Sequence, residues 1–523
     1  MSARAQILGR YELVVGMEVH AQLATQSKLF CGCAVGFGGP PNTRTCPVCL
    51  GHPGTLPVLN AEAFAMVHRI ALAFGADVRD ATEFDRKNYF YPDLPKGYQI
   101  SQLHHNVGGG DGREGGRLQL LRSGKFVRMH NVHLEEDAGK LLHLGDGGSV
   151  VDLNRAGTPL AEIVTYPDLR SVEEVDDFMD TLTEVLLALE VCRCRMQEGN
   201  LRFEASVSVR PRGAEFLGPR TEIKNLNSYA AVRRAVAYEF ARQVALLEAG
   251  ASPRQETRLW DPEEAVPYEQ GVPPARRADP ALLASLLPEV EGGWRGRTQF
   301  MRAKEDAHDY RYFPEPDLPP YAVAPEQLDA WRTSLPELPG ARRARYAEEL
   351  GLPQKAAEAL TRERGLAAVF EQLLALEVPA AAAANYVLNP LQAALKERGL
   401  SPAESPVSPE RLAELHSLIE EDNGLSRDLV FKQVWPRVLD EGLSPREAVA
   451  KYGIEGASSD AVVAATDAAW AENPRAVRDL LAGKKKAAGA IVGAVMKRLR
   501  GQADPRAIHA RIAELLAQTR GED

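Results

Sequence analysis

A strictly alternating segment, LRFEASVSVR at residues 201–210, constrains the fold more than any other part of the chain. Its odd-numbered positions are all apolar, and its even-numbered positions are arginine, glutamate or serine. Because successive side chains of a strand point to opposite faces, the segment predicts a strand with one apolar and one polar face. Such strands are typical of antiparallel sheets that are open to solvent on one side. We therefore expect an antiparallel sheet within an α+β fold.

Two further segments support this mixture of strand and helix. YELVVGMEVHAQL, from residue 11, also alternates and places Glu18 and His20 on one face. SVEEVDDFMDTLTEVLLAL, from residue 171, has apolar residues at helical spacing, and Ser171 stands before an acidic first turn as an N-cap.

The composition changes after FPEPDLPP at 313–320, where alanine, leucine, glutamate and arginine become dominant. We expect three parts: a catalytic sheet domain over 1–320, a helical domain over 321–450 and a smaller helical tail domain over 451–523.

The charge distribution bears on the partners of the chain. A net charge of -10 argues against a general polyanion binder, although it allows a local basic surface. The tail contains such a segment, GKKKAAGAIVGAVMKRLRG, which is either a solvated helix face or a contact for a phosphate backbone. Its candidate tRNA-binding residues are Lys484, Lys485, Lys486, Lys497, Arg498 and Arg500.

The N-terminal residues lack an apolar signal region, and no apolar run reaches the roughly 18 residues that span a bilayer. We expect a cytoplasmic protein without membrane contact, in which cysteines are free, catalytic or metal-bound more often than paired in disulfides.

Four of the six cysteines lie close together, as Cys31-x-Cys33 and Cys46-x2-Cys49 around a loop rich in glycine and proline. This spacing predicts a structural zinc site, because four thiolates would leave the metal no open position. Free thiols, or an iron–sulfur or redox role, are the alternatives. The other two, Cys192 and Cys194, are predicted to be ordinary thiols.

Carboxylates and imidazoles form a second group. NVHLEEDAGKLLH contains His133, Glu135, Glu136 and Asp137, and GTPLAEIV adds Glu162 to the pair of Glu18 and His20. Such a mixture suits magnesium that holds nucleotide phosphates, although each member taken singly could be a surface carboxylate. Strand alternation favours Glu135 over Glu136, because Glu135 shares a face with His133.

Cationic and amide side chains form a third group. The candidates for contacts with ATP or substrate are Lys87, Arg202, Arg210, Lys224 and Asn225. The sequence has neither a GxxxxGK[ST] loop nor a GxGxxG after a strand, so an ATP site would be built differently.

Seven segments together resemble the B subunit family of the aspartyl/glutamyl-tRNA amidotransferase. They are GMEVHAQL, DRKNYFYPDLPKGYQISQ, HLEEDAGK, NRAGTPLAEIVTYPDLRS, EGNLRFEASVSVRP, EIKNLNS and KEDAHDYRYFPEPDLPP. Their order and spacing agree over the first 320 residues, and the basic tail resembles the tRNA-binding tail of that family.

The resemblance implies a cradle-like fold similar to the catalytic domain of glutamine synthetase and guanidino kinases. It implies ATP-dependent phosphorylation of the side-chain carboxylate of Glu-tRNA(Gln) and/or Asp-tRNA(Asn), followed by amidation with glutamine-derived ammonia. The implied partners are a glutaminase A subunit and a small C subunit in a heterotrimer, with a mischarging synthetase as a further candidate.

The resemblance also implies residue roles. Magnesium ligands would be Glu18, His20, Glu162 and Glu136, which the family pattern ranks above Glu135. Lys87 and Arg202 would contact phosphates. Glu204 stands where the family usually has aspartate, so its carboxylate is kept but reaches further.

Two other functions fit parts of the sequence. A ligase for small carboxylates and amines would not need the basic helical tail. A non-catalytic tRNA-binding module would not need the cluster of carboxylates.

Overall fold

The computed structural model describes residues 3–110, 112–144, 147–263, 277–303, 309–420 and 425–521. The chain forms two compact units, Met1–Gly340 and Ala341–Asp523. They are described in turn.

The first unit is organised around one 12-stranded sheet. The strands of this unit are β1 (Tyr11–Gln22), β2 (Ala81–Thr82), β3 (Asp85–Asn88), β4 (Tyr98–Ser101), β5 (Gly108–Gly109), β6 (Arg117–Gln119), β7 (Phe126–Glu136), β8 (Lys140–His143), β9 (Ser149–Asp152), β10 (Pro159–Thr165), β11 (Leu201–Pro211), β12 (Thr221–Leu226), β13 (Glu256–Asp261), β14 (Arg297–Ala303), β15 (Phe313–Pro314) and β16 (Tyr321–Ala322). The sheet follows the order β14-β13-β12-β11-β1-β10-β7-β4-β3-β15, with β5 and β6 also paired to β7. Its described pairings are antiparallel except that of β12 with β13.

Helices cover one face of this sheet. The helices of the unit are α1 (Ala3–Leu8), α2 (Ala61–Ala73), α3 (Val172–Ala188), α4 (Tyr229–Glu248), α5 (Pro280–Leu286) and α6 (Pro325–Thr333). The apolar sides of α2, α3 and α4 share one hydrophobic core with alternate residues of β1, β7, β10 and β11. In β11 these are the odd-numbered residues, as the sequence predicts, so the even-numbered ones lie on the opposite, polar face.

The predicted helix after Ser171 is confirmed. The Ser171 side chain accepts a hydrogen bond from the Glu174 N–H at 3.1 Å, which caps α3.

The first unit extends past residue 320, where the sequence predicts a boundary. β16 pairs with β2, and the Trp331 ring of α6 packs against His68 of α2 at 4.8 Å between centroids. These contacts join residues 321–340 to the sheet domain, although the composition of this segment resembles that of the helical region.

The second unit is helical. Its helices are α7 (Pro339–Glu348), which begins at the end of the first unit, α8 (Gln354–Thr361), α9 (Arg364–Ala375), α10 (Ala380–Tyr386), α11 (Gln392–Arg398), α12 (Pro409–Glu420), α13 (Arg427–Leu429), α14 (Trp435–Glu441), α15 (Pro445–Tyr452), α16 (Ser459–Glu472), α17 (Pro474–Leu481), α18 (Ala488–Arg498) and α19 (Pro505–Gly521). It contains two hydrophobic clusters, one from Tyr346 to Ile454 and one from Val462 to Ile512.

The architecture is therefore α+β, with a large, mostly antiparallel sheet and a helical C-terminal region. The likeness to glutamine synthetase and guanidino kinases stays a prediction.

Candidate functional site

The register of four neighbouring strands aligns polar side chains across the open face of the sheet. Arg202 of β11 stands opposite His20 of β1, which stands opposite Glu162 of β10, which in turn stands opposite His133 of β7. Two residues before His20 in β1, Glu18 stands opposite Glu204 of β11. Since neighbouring strands lie only about 4.8 Å apart, this register brings the side chains into one cluster.

His20 lies at the centre of the cluster. Its Nε2 is 3.3 Å from Glu162 Oε2, 3.4 Å from Glu135 Oε1 and 4.0 Å from Glu18 Oε1. On the next strand, His133 Nε2 lies 3.6 Å from the same Glu162 oxygen. The structure thus unites four of the predicted magnesium ligands, together with His133; we call these five residues the sheet cluster.

Two buried atoms of the sheet cluster lack a hydrogen-bond partner among the described residues, His133 Nε2 and Glu135 Oε2. An unsatisfied buried polar atom is costly, by roughly 1–3 kcal/mol. Two overlapping triads, Glu18–His20–Glu162 and His133–Glu135–Glu162, each have ligand atoms within 4.8 Å of one another. Carboxylate oxygens with imidazole nitrogens suit a divalent cation, so the residues fit the magnesium that the sequence predicts.

The side chains of the sheet cluster shift one another's pKa values. Burial alone would raise the pKa of Glu162, but His133, His20 and Lys87 outweigh it and hold that pKa below its usual range. Burial opposes protonation of His20, but hydrogen bonds to Glu135 and Glu162 raise its pKa well above the usual value. Burial and the charge of Glu162 raise the pKa of Glu18 to about 7. The raised pKa of His20 shows that the carboxylates around it favour a positive charge at this position.

A cleft of about 370 Å³ opens over the sheet cluster and is bordered by cations. Lys87 lies 5.1 Å from the Tyr310 ring centroid, and Arg202 Nη2 lies 2.9 Å from Asp137 Oδ2. Lys224 Nζ lies 2.6 Å from Glu204 Oε2 and 2.9 Å from Glu222 Oε1. Of the predicted phosphate and substrate contacts, Lys87, Arg202 and Lys224 therefore line the cleft, and Glu204 enters it already paired with a lysine.

The structure places Glu136 outside the sheet cluster, contrary to its first rank in the family pattern. Its carboxylate forms an ion pair with Lys96 and accepts a hydrogen bond from the Ile100 N–H at 2.9 Å. Because neighbouring side chains of a strand point to opposite faces, Glu135 and Glu136 cannot both reach the same cluster.

Arg210 and Asn225 do not line the cleft either. Arg210 follows Arg202 by eight residues, about 26 Å along a strand, and pairs with Glu12 at 2.6 Å. Asn225 lies where the pairing of β11 with β12 shifts register, has a φ of 67° and donates to the Trp260 carbonyl at 2.9 Å. These local partners account for the positions of both side chains away from the cleft.

Arg155 and Tyr89 line the cleft but were missed as site candidates. Asp137, a member of the predicted acidic group, holds Arg202 and also lies 3.4 Å from Arg155. Arg155 and Tyr89 lie in segments that carry the family resemblance, which was the available signal for them. Residues 304–308 of the KEDAHDYRYFPEPDLPP segment lie outside the described residues.

The four cysteines at 31–49 converge, and we call them the cysteine cluster. Their sulfurs all lie within 4.8 Å of one another, and the Cys46 and Cys49 sulfurs are 3.9 Å apart. A tetrahedral zinc–thiolate centre with bonds of about 2.3 Å needs sulfur separations of about 3.8 Å, so the cluster fits zinc.

A buried lysine, which the sequence did not indicate, accompanies the cysteine cluster. Lys28 Nζ lies 3.5 Å from Cys49 Sγ. A hydrogen bond from Cys31, reinforced by the Cys46 N–H and by Lys28, lowers the pKa of Cys49 to about 4. A buried cation of this kind offsets the negative charge that four thiolates bring to zinc.

The six basic residues of the tail are all exposed. Lys484 pairs with Asp479 and Arg498 with Glu472, each at 2.9 Å. The other four, Lys485, Lys486, Lys497 and Arg500, form no ion pair with another described residue. Separately, none of the helices in the described parts of the chain has both the length and the apolar character to cross a membrane.

Comparisons with known proteins agree with this division of the chain. A family model described as the GatB/GatE catalytic domain matches residues 13–271 and 292–329, and one described as the GatB domain matches 368–516. The B subunit of the aspartyl/glutamyl-tRNA(Asn/Gln) amidotransferase of Caldicellulosiruptor bescii is 41% identical over 517 residues, which cover 97% of this chain and 99% of that protein. The B subunit of the same name from Anaeromyxobacter dehalogenans is 43% identical over 509 residues, or 96% and 97% of the two chains.

Proposed function

Because this chain belongs to the family of aspartyl/glutamyl-tRNA(Asn/Gln) amidotransferase B subunits, which are subunits of a ligase, we propose that its open sheet face activates a tRNA-linked carboxylate with ATP. The sheet cluster, with its two unpartnered buried atoms, is the observation that carries this proposal.

The chemistry explains why ATP is needed. A carboxylate resists attack by ammonia because its oxygen is a poor leaving group. Transfer of the γ-phosphoryl group of ATP to the side-chain carboxylate of Glu-tRNA(Gln) or Asp-tRNA(Asn) gives an acyl phosphate and ADP. Ammonia then attacks the acyl carbon, the C–O bond to phosphate breaks, and the products are the amide, Gln-tRNA(Gln) or Asn-tRNA(Asn), and inorganic phosphate.

The sheet cluster would hold the divalent cation of this reaction. Magnesium, when bound, neutralises phosphate charge and orients the transferred group. Glu18, Glu135 and Glu162 supply the oxygens, while His20 and His133 supply ring nitrogens. Their positions on adjacent strands keep these donors in place without rearrangement.

The surrounding cations would position the phosphates and the substrate. Lys87 on β3 and Arg202 on β11 border the cleft on opposite sides of the sheet cluster. Asp137 holds the Arg202 guanidinium at 2.9 Å, and Lys224 holds Glu204 beside Glu18. We assign Lys87 and Arg202 to phosphate contacts and Glu204 to a positioning role through Lys224.

Other parts of the reaction would come from partners. Cys192 and Cys194 are hydrogen-bonded locally, to the Asn200 carbonyl and the Thr183 carbonyl, and among the described residues neither thiol is hydrogen-bonded to the base that a glutaminase nucleophile needs. Ammonia would therefore come from a glutaminase A subunit, with a small C subunit in the heterotrimer. The exposed lysines of the tail would bind the tRNA backbone, and zinc would brace the cysteine cluster.

A reconstitution tests this proposal. The chain is combined with its amidase partner, ATP, glutamine and either Glu-tRNA(Gln) or Asp-tRNA(Asn), and the amino acid recovered from the tRNA is identified. We expect glutamine, asparagine or both, with one ADP formed per amide. Amide formation without consumption of ATP would contradict the proposal.

A further inference from the structure

A second cavity, of about 570 Å³, adjoins the cleft over the sheet cluster. Arg155 and Arg202 line both spaces, so a ligand could extend from one into the other. One part of the second cavity is lined by residues 36–39 and Arg44. These belong to the loop between the two cysteine pairs, residues 34–45, which we call the cysteine loop.

The cysteine loop is anchored on both sides of its apex. Before the apex, the Val35 N–H donates to the Gln26 carbonyl at 3.0 Å. After it, the Asn42 side chain accepts from the Leu153 N–H at 2.7 Å, and the Arg44 N–H donates to Asn154 Oδ1 at 2.8 Å. The cysteine cluster joins the two ends of the loop. Residues 36–39 are therefore held at the cavity by fixed flanks.

The apex itself is built around Arg44. Its guanidinium donates to the Gly38 carbonyl, and a Cβ at Gly36 would lie only 2.6 Å from one of its nitrogens. Gly38 has a φ of 72°, a left-handed conformation that favours glycine. The glycines thus let the loop close over an arginine.

Phe37 contributes an aromatic ring to the lining of this cavity. It is 68% exposed, although exposing an aromatic ring to water is unfavourable. The charged residues around the same cavity are mainly cationic: Arg44, Lys140, Arg155 and Arg202, against Asp152 and Glu198. An aromatic ring can stack on a base while neighbouring cationic side chains contact the phosphates attached to it.

We propose that Phe37 stacks on the adenine of a nucleotide whose phosphates extend past Arg155 and Arg202 toward the sheet cluster. This proposal rests on the proposed function, which requires two adenosine-bearing ligands: ATP, and the 3′-terminal adenosine of the charged tRNA. The cysteine cluster then has a positioning role, because it closes the loop that presents the ring.

Direct binding tests the proposal on the complex with its partner subunits. The affinity for AMP-PNP, a non-hydrolysable ATP analogue, is measured calorimetrically, and the affinity for uncharged tRNA(Gln) is measured by filter binding with and without its terminal adenosine. The variants are Phe37→Ala and Phe37→Tyr, with Phe216→Ala as a matched control, since Phe216 is 63% exposed and lines neither cavity.

Loss of one stacked base should weaken binding about tenfold, and tyrosine should restore it. A loss for AMP-PNP alone in Phe37→Ala assigns the ring to ATP. A loss for tRNA alone, and only when its terminal adenosine is present, would overturn the proposal, because the phosphates of that adenosine lead away from the acylated end of the tRNA. Wild-type affinity for both ligands, or an equal loss in Phe216→Ala, would overturn the proposal. If the wild-type complex binds AMP-PNP but makes no amide from ATP and charged tRNA, the proposed function fails instead.

Discussion

The cysteine cluster and the sheet cluster both gather metal-ligating side chains in the first unit, but they differ in what the ligands rest on. The cysteine ligands lie on a loop and face one another, and Lys28 is the buried cation beside them. The sheet ligands come from three strands and face a cleft bordered by Lys87 and Arg202.

This difference separates a closed metal site from an open one. Four thiolates would complete a tetrahedral shell, which leaves zinc no position for substrate. Three carboxylates and two imidazoles beside an open cleft leave positions for phosphate oxygens. We therefore propose that zinc at the cysteine cluster braces the fold and that magnesium at the sheet cluster serves the reaction, and the variants below test this assignment.

The largest effect is expected from Glu162→Gln. Glu162 takes part in both triads of the sheet cluster, so loss of its charge should lower amide formation at least about a hundredfold while tRNA affinity stays unchanged. Steady-state transamidation and filter binding measure the two quantities. Glu12→Gln, on the same face of β1 but paired with Arg210, is the control and should retain activity. Activity within a few fold of wild type in Glu162→Gln would count against the cluster.

The pair Glu135→Gln and Glu136→Gln should differ in kind. The first removes a cluster ligand and should lower turnover by about tenfold to a hundredfold. The second breaks an ion pair with Lys96 outside the sheet cluster. Glu136→Gln should therefore change the magnesium concentration needed for activity much less than Glu135→Gln does. Magnesium titrations of both variants measure this. A shifted magnesium requirement in Glu136→Gln alone would restore the ranking that the family pattern gives.

This pair also shows what sequence could and could not predict. Period-two alternation identified the polar face, and therefore Glu18, His20, Glu135 and Arg202, because the direction of each side chain is fixed by the backbone. The order of strands across the sheet is set by long-range packing. The sequence therefore could not predict that Arg202, His20, Glu162 and His133 stand side by side on four neighbouring strands.

Other differences have local causes. The shift in strand pairing next to Asn225, which has a left-handed backbone, leaves no mark in a short sequence. Alternation places Arg210 on the polar face of β11, but it cannot tell which part of that face borders the cleft. The first compact unit ends at Gly340, after the change in composition near residue 320, because Trp331 joins the sheet domain through a packing contact that composition does not reveal.

Cys46→Ser should change stability and leave the chemistry intact. Loss of one thiolate opens the cysteine cluster, and we expect the melting temperature to fall by about 3 °C, as for a change of roughly 2 kcal/mol in a unit of this size. Differential scanning calorimetry measures this, with Cys192→Ser as the control outside the cluster. An unchanged melting temperature together with a loss of turnover at saturating substrates would place the cysteine cluster in the reaction.

The smallest effect is expected from the tail. Lys485→Ala with Lys486→Ala removes two exposed charges, and tRNA affinity should fall about tenfold at low salt, with a shallower dependence on salt. Lys355→Ala with Lys396→Ala, also exposed, is the control. Equal losses in the two double variants would mean that the tail has no specific role.

Metal content measured site by site tests the central claim most directly. Zinc is determined by elemental analysis, and Mn²⁺ binding by electron paramagnetic resonance, on the same samples of wild type, Glu162→Gln and Cys46→Ser. We predict one zinc per chain in wild type and Glu162→Gln, with Mn²⁺ binding lost only in Glu162→Gln and zinc lost only in Cys46→Ser. Retention of wild-type Mn²⁺ binding by Glu162→Gln would contradict the account.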